Sequence, residues 1–246
     1  MGEYVGKIRN EIVPNILEKL PDETINLTLT SPPFYDDKLY ILEDGKIEFG
    51  WKTYNEYILH ITRVFDEILR ITKKGGKLIL VMSNSPKISK ESQIEYYWPC
   101  LHDLISIACK NGWRLVDEIV WIHEDPVYIS VTPPIPETRM SPFHNWISIL
   151  QRPGKLKSTT NEKISENSVW YLPSEGPFDE YNEMYGSFPN ELVERCIKYW
   201  SLENDVILDP YAGSGQTIRI AKQLNRIGIG FEADTRWKHL WSDIND

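Results

Sequence analysis

Two short strings carry residue types that could do chemistry. The first is Asp209-Pro210-Tyr211-Ala212-Gly213-Ser214-Gly215-Gln216-Thr217, which follows a β-rich run and opens a helical one. Gly213 and Gly215 let the backbone turn tightly and approach a ligand where a Cβ would clash. Amides at the start of the helix that follows can receive an anion. Glu232 stands 17 residues beyond Gly215, at the end of the next strand, where a carboxylate accepts hydrogen bonds from ribose hydroxyls. Alone, this is also the Gly-rich turn of an ordinary βαβ unit. The third glycine of a dinucleotide fingerprint is missing, with Ile218 in its place, which disfavours NAD or FAD. The second string is Thr30-Ser31-Pro32-Pro33-Phe34-Tyr35, which also leaves a strand. In isolation it is a Pro-rich turn. Its position after a strand, in a chain that also holds the glycine string, favours a site.

Periodicity places the elements around these strings. Residues 25–30 are β-rich and stop at Ser31-Pro32-Pro33. Apolar residues at helical spacing predict a helix over 54–69, closed by Gly75-Gly76, and 77–82 reads as a buried strand. A second helix is expected from Trp98 to Ala108, stopped at Gly112, then strands at 115–122 and 145–150. Near the end, 191–200 is a helix, 206–208 a strand, 217–224 a helix and 227–231 a strand. Alternating strands and helices imply a parallel, doubly wound sheet. From Thr132 to Gly186 the pattern breaks down into Pro, Ser, Asn and Glu. A compact domain rarely carries so long an irregular stretch without a functional reason.

Composition bounds the reading. The chain has 246 residues, 41% hydrophobic and 26% charged, the profile of a globular protein with one α/β domain or one domain plus a small lobe. No apolar run reaches the roughly 18 residues that span a bilayer. The N-terminus lacks the blocks of a signal peptide, so a cytoplasmic location is expected. Cys100, Cys109 and Cys196 have no metal-like spacing and read as reduced core cysteines, and the five histidines are scattered, so no metal site is expected. The net charge of −9 counts against a polyanionic partner unless a basic patch is found.

Taken together, the strings resemble those of the beta-class DNA amino-methyltransferases, above all the site-specific cytosine-N4 enzymes of restriction-modification systems. Residues 209–217 are similar to the family's Asp-Pro-Phe-x-Gly-Ser-Gly-Thr-Thr, with Tyr211 for Phe and Gln216 for Thr. Residues 30–35 look like its Ser/Asp/Asn-Pro-Pro-aromatic motif. Phe188-Pro189 and the helix after it look like its Phe-Pro-x-x-Leu-x-x-x-x-Ile element, although Met184 and Gly186 stand where His and Ala are usual. The catalytic string comes first and the cofactor string last, as in the beta class, and the run 4–10 can supply the strand otherwise expected after Glu232. The resemblance runs from about residue 5 to 241 and is weakest over 155–185.

The resemblance implies a doubly wound, mostly parallel Rossmann-like α/β sheet with a small irregular target-recognition insertion. Residues 1–125 would be the catalytic half, 126–186 the recognition segment and 187–246 the half that binds S-adenosylmethionine. Asp209, Tyr211, Ala212, Gly213, Gly215 and Thr217, with Phe188 and Pro189, would hold the cofactor, and Glu232 its ribose. Ser31 and the Pro32 carbonyl would accept N–H bonds from an exocyclic amine, Pro33 would help fix that backbone, and Phe34 would stack on a base flipped from duplex DNA. Serine in the first motif position leans to cytosine N4; adenine N6 is the same-class rival. An inactive DNA-binding relative and an oxidoreductase are more distant. Arg139, Arg152, Lys155, Lys157 and Lys163 are the basic cluster expected to meet DNA. A companion restriction endonuclease and a homodimer, each copy giving half of the reader, fit the same picture.

Overall fold

The computed structural model describes residues 2–35, 39–41, 47–49, 51–88, 94–124, 144–155, 167–173 and 188–245. In chain order the elements are β1 (Lys7–Asn10), β2 (Ile25–Thr30), a hairpin of β3 (Leu39–Ile41) and β4 (Ile47–Phe49), α1 (Tyr54–Ile71) and β5 (Thr72–Met82). A hairpin of β6 (Ser85–Ile88) and β7 (Ile94–Trp98) follows, then α2 (Cys100–Lys110), β8 (Arg114–His123), β9 (His144–Gln151) and β10 (Val169–Leu172). The chain closes with α3 (Asn190–Trp200), β11 (Val206–Asp209), α4 (Gln216–Gln223), β12 (Ile227–Glu232) and α5 (Ser242–Asn245).

Eight of these strands form one sheet in the order β1-β12-β11-β2-β5-β9-β8-β10. Strands β1, β12, β11, β2 and β5 run parallel, β9 is antiparallel to both neighbours, and β10 is parallel to β8. The expected doubly wound, mostly parallel α/β sheet is therefore the fold, and the early run near residue 7 does supply the strand beside β12.

The two-residue period of β5 shows how the layers assemble. Leu78, Leu80 and Met82 join a core with Tyr57, Ile61, Val64, Phe65 and Ile68 of α1 and Leu101 and Leu104 of α2. Ile79 and Val81 join a second core on the other face, with Leu192, Val193, Cys196 and Ile197 of α3 and Ile220 and Ala221 of α4. Each fully buried aliphatic side chain contributes roughly 1.5–3 kcal/mol. The Thr53 hydroxyl caps α1 by accepting the Glu56 N–H at 3.2 Å, an interaction worth about 1 kcal/mol. Among the described residues, no helix is long and apolar enough to cross a membrane.

Three expectations need correction. Helix α1 ends at Ile71, not at the glycine pair, because the chain passes straight into β5. Gly75 and Gly76 instead form an irregularity within β5, where the pairing with β2 jumps from Ile25–Thr72 to Leu27–Lys77. A Cβ on Gly76 would lie 2.8 Å from the Lys73 carbonyl and 2.9 Å from that of Asn26. Second, the segment 126–186 is not one irregular insertion, since β9 and β10 are strands of the main sheet. Third, Cys100 and Cys196 are buried as expected, but Cys109 is exposed on α2.

Candidate active site

Chain order reverses between β2 and β11, which are neighbours in the sheet. Open α/β sheets bind ligands outside the carboxyl ends of strands at such a switch point. Both strings begin there, because Ser31 follows the last residue of β2 and Pro210 follows the last residue of β11.

Asp209 joins them. Its side chain is 3% exposed. The Thr30 hydroxyl donates to Asp209 Oδ1 at 2.8 Å, the Tyr211 N–H donates to the same oxygen at 3.2 Å, and the Thr217 side chain also hydrogen-bonds the carboxylate. Burial pushes the carboxyl up to about 6, against the pull of those donors. The carboxylate thus acts inside the protein, tying β2, the glycine loop and α4 together.

Gly213 and Gly215 serve different ends. Gly213 has φ +49°, and nothing lies within 4 Å of where its Cβ would be. Its N–H donates to Glu232 Oε2 at 2.8 Å, and its carbonyl accepts from Trp241 Nε1 at 2.9 Å. Glu232 is 7% exposed and takes the Asp234 N–H on Oε1 at 2.8 Å. Gly215, with φ +87°, begins α4, and a Cβ there would collide with Ile8 and Ile244. Its missing side chain admits β1 and α5 rather than a ligand. Ala212 is buried in a small cluster with Ile8, Ile218, Trp241 and Ile244.

Tyr211 reaches the other way. Its hydroxyl lies 3.4 Å from His60 Nε2 on α1. Burial, with the Arg63 charge acting in the same direction, holds His60 down to about 4. The imidazole is uncharged at neutral pH and can accept a hydrogen bond from the Tyr211 hydroxyl.

Pro32 and Pro33 are buried, while Ser31 and Phe34 are partly exposed. Phe34 packs on the core beneath α1 and α2. Tyr35 is held by ring contacts at 5.2 Å to Tyr54 and 5.1 Å to Trp98, and its carbonyl accepts the Ser85 hydroxyl at 2.5 Å. Among the described residues, no side chain takes the Ser31 hydroxyl. Phe188 is buried in the second core, and Pro189 caps the start of α3.

Of the basic candidates, Arg152 and Lys155 lie among the described residues. Because β9 runs antiparallel, His144 stands at the carboxyl edge of the parallel strands and Gln151 at their amino edge, opposite Lys77. Arg152 and Lys155 therefore leave the sheet on the side away from Ser31. Arg152 donates to the carbonyls of Arg70 and Thr72 and pairs with Glu23 at 3.2 Å. It braces the α1–β5 corner, which corrects its assignment to DNA. Arg139, Lys157 and Lys163 lie outside the described residues. His60, Ser85 and Trp241 were not singled out from the sequence. Each acts on a string more than 25 positions away, and no local pattern signals such a contact.

Residues 25–241 match the sequence profile of a family described as DNA methylase. The type II methyltransferase M.MthZI of Methanothermobacter thermautotrophicus is 25% identical over 91% of this chain and 72% of its own length. The orphan methyltransferase M.BamHII of Bacillus amyloliquefaciens is 27% identical over 87% and 86%. Two solved structures share the fold. TTHA0409 of Thermus thermophilus, in complex with S-adenosyl-L-methionine, has a TM-score of 0.72 at 22% identity, covering 95% of this chain and 90% of that one. The PvuII DNA methyltransferase, cytosine-N4-specific, has a TM-score of 0.71 at 18% identity, covering 94% and 82%.

Proposed function

The chain belongs to the DNA methylase family of N6/N4 amino-methyltransferases, and from that membership we propose that it moves a methyl group from S-adenosylmethionine to N4 of cytosine in duplex DNA. The observation that carries this reading is the 2.8 Å bond from Thr30 to Asp209, which sets Ser31-Pro32-Pro33-Phe34 directly beside the glycine loop.

The residues present fit the cofactor. The open space over Gly213, which a side chain would fill, adjoins Glu232, whose carboxylate is the kind of acceptor that suits ribose hydroxyls. When bound, S-adenosylmethionine supplies an electrophilic methyl group. The chain prepares the nucleophile. The lone pair of an exocyclic amine is delocalised into its ring, so the amine reacts poorly. Ser31 and the Pro32 carbonyl accept its N–H bonds and favour a more pyramidal nitrogen. The two buried prolines hold that carbonyl in place before reaction, which is what makes such polar assistance effective. Phe34 offers its partly exposed ring to the flipped base. No covalent enzyme–base intermediate is needed.

Serine at position 31 supports cytosine over adenine, as does the cytosine-N4 specificity named for the PvuII enzyme. The type II designation of M.MthZI supports a restriction-modification setting with a companion endonuclease. DNA affinity is assigned to the chain between Glu124 and His144, because both of these residues stand at the carboxyl edge with Ser31. Arg139 is the basic residue proposed to act there. Mass spectrometry of nucleosides from treated DNA tests the target base. N4-methylcytosine is expected, and N6-methyladenine alone would overturn the cytosine assignment while keeping the family chemistry.

A further inference from the structure

The hairpin of β6 and β7 is a small sheet of its own. It begins just after β5 ends and so stands at the carboxyl edge of the parallel strands, where Ser31 leaves β2. Its pairs Ser85–Trp98 and Lys87–Tyr96 lie two positions apart, so these four side chains share one face. The base of that face is clamped to the catalytic string. The Ser85 hydroxyl donates to the Tyr35 carbonyl at 2.5 Å. The Trp98 ring meets that of Tyr35 at 5.1 Å and stacks on Tyr54 at 4.7 Å. Tyr35 directly follows Phe34.

The outer pair is Tyr96 and Lys87. Two residues along a strand advance about 7 Å, so Tyr96 stands that much farther out from the string than Trp98. It is 43% exposed. Its ring meets Trp98 at 5.3 Å with the planes 74° apart, an edge contact that leaves at least one face of the Tyr96 ring clear of Trp98. An exposed aromatic ring beside a cation suits a nucleotide, because the ring stacks on the base while the charge meets the phosphate.

We infer that this face of the hairpin is a DNA contact, with the Tyr96 ring stacking on a base next to the flipped one and Lys87 meeting the phosphate beside it. This rests on the reading of the site as one that takes a base flipped out of duplex DNA. A duplex that delivers its base to Ser31-Pro32-Pro33-Phe34 lies over the carboxyl edge, where the hairpin stands. Flipping strips the neighbouring bases of a stacking partner, and an aromatic side chain replaces it. Because the hairpin is clamped to the residue after Phe34, the neighbouring base and the reacting base are gripped at a fixed offset from each other.

The test is a cycle between one side chain and one base. The methylated base is first mapped on plasmid DNA treated with the parent protein. Three short duplexes are then made around it: one intact, one abasic at the 5′ neighbour and one abasic at the 3′ neighbour. On the intact duplex Tyr96→Ala should bind about 5- to 150-fold more weakly than the parent, the worth of one base–aromatic stack. Tyr96→Phe keeps the ring and should bind as the parent does. On one of the abasic duplexes Tyr96→Ala and the parent should bind equally, because the base under the ring is gone. Lys87→Ala should weaken all three alike and lower the slope of log K against log salt by about one. An unchanged slope would remove Lys87 from the contact. A merely structural role for Tyr96 would weaken all three duplexes alike. That result, or unchanged binding of the intact duplex by Tyr96→Ala, overturns the inference and leaves the methyltransferase reading standing. If the parent methylates no base, the reading beneath it fails and the inference with it.

Discussion

The Thr30 hydroxyl donates to the Asp209 carboxylate at 2.8 Å, and so the last residue of β2 is locked to the last residue of β11. This buried bond adds to the pairing of the two strands and ties the string that would meet the base to the loop that would meet the cofactor. Thr30→Val removes the donor and keeps the shape. It should destabilise the protein by about 1–3 kcal/mol, because a buried carboxylate loses one of its donors. Urea unfolding checks the loss, and methyl transfer should fall more steeply than stability alone explains.

Asp209 also predicts a pH dependence. Burial raises its folded-state value to about 6, above the ordinary value near 3.9 of an unfolded chain. Between those values the folded protein keeps the proton and the unfolded chain has lost it. The contribution is therefore full below about pH 4 and disappears as pH rises through about 6. Its size is roughly 3 kcal/mol at 1.36 kcal/mol per pH unit. Asp209→Asn keeps acceptors for Thr30 and Tyr211 but does not titrate. Its stability, relative to the parent, should rise between pH 4 and pH 6, and a constant difference across that range would contradict the shift.

Gly213 gives a cofactor test. Nothing occupies the space its side chain would take, so Gly213→Val should fill the proposed pocket. A residue with φ +49° also costs about 1–2 kcal/mol of stability when it carries a Cβ. Calorimetry should find S-adenosylmethionine binding to the parent and none to the variant, with circular dichroism confirming that both are folded. Equal binding would remove Gly213 from the site.

The two ends of β9 give a test of DNA contact. Arg139→Ala should weaken binding to duplex DNA and lower the slope of log K against log salt by about one. Lys155→Ala, on the amino edge of the sheet, should leave both unchanged. The opposite pattern would move the DNA surface to the other edge.

Much of this was legible in the sequence because the signals are local. The strings at 30–35 and 209–217 announce tight turns after strands, and the apolar spacing of Tyr57, Ile61, Val64 and Ile68 announces α1. Misreadings came where distant parts of the chain decide. Gly75-Gly76 looks like a helix stop, but its use is set by the backbone of Asn26 on the neighbouring strand. The run at β9 reads as a strand, yet nothing local says that it runs antiparallel between β5 and β8. For the same reason the charge of Arg152 suggested DNA, whereas its position commits it to Glu23 and the end of α1. Asp209 was legible as a site residue, but its partner Thr30 lies 179 positions away.

The most direct measurement is transfer of label from methyl-tritiated S-adenosylmethionine to unmethylated plasmid DNA, run with the parent and with Ser31→Ala. The parent should place label in the DNA as N4-methylcytosine. Ser31→Ala should lower turnover by at least about tenfold while cofactor affinity stays within about twofold, because the hydroxyl acts on the amine and not on the cofactor. Full turnover by Ser31→Ala, or no label in DNA from a parent that binds the cofactor, would contradict the account.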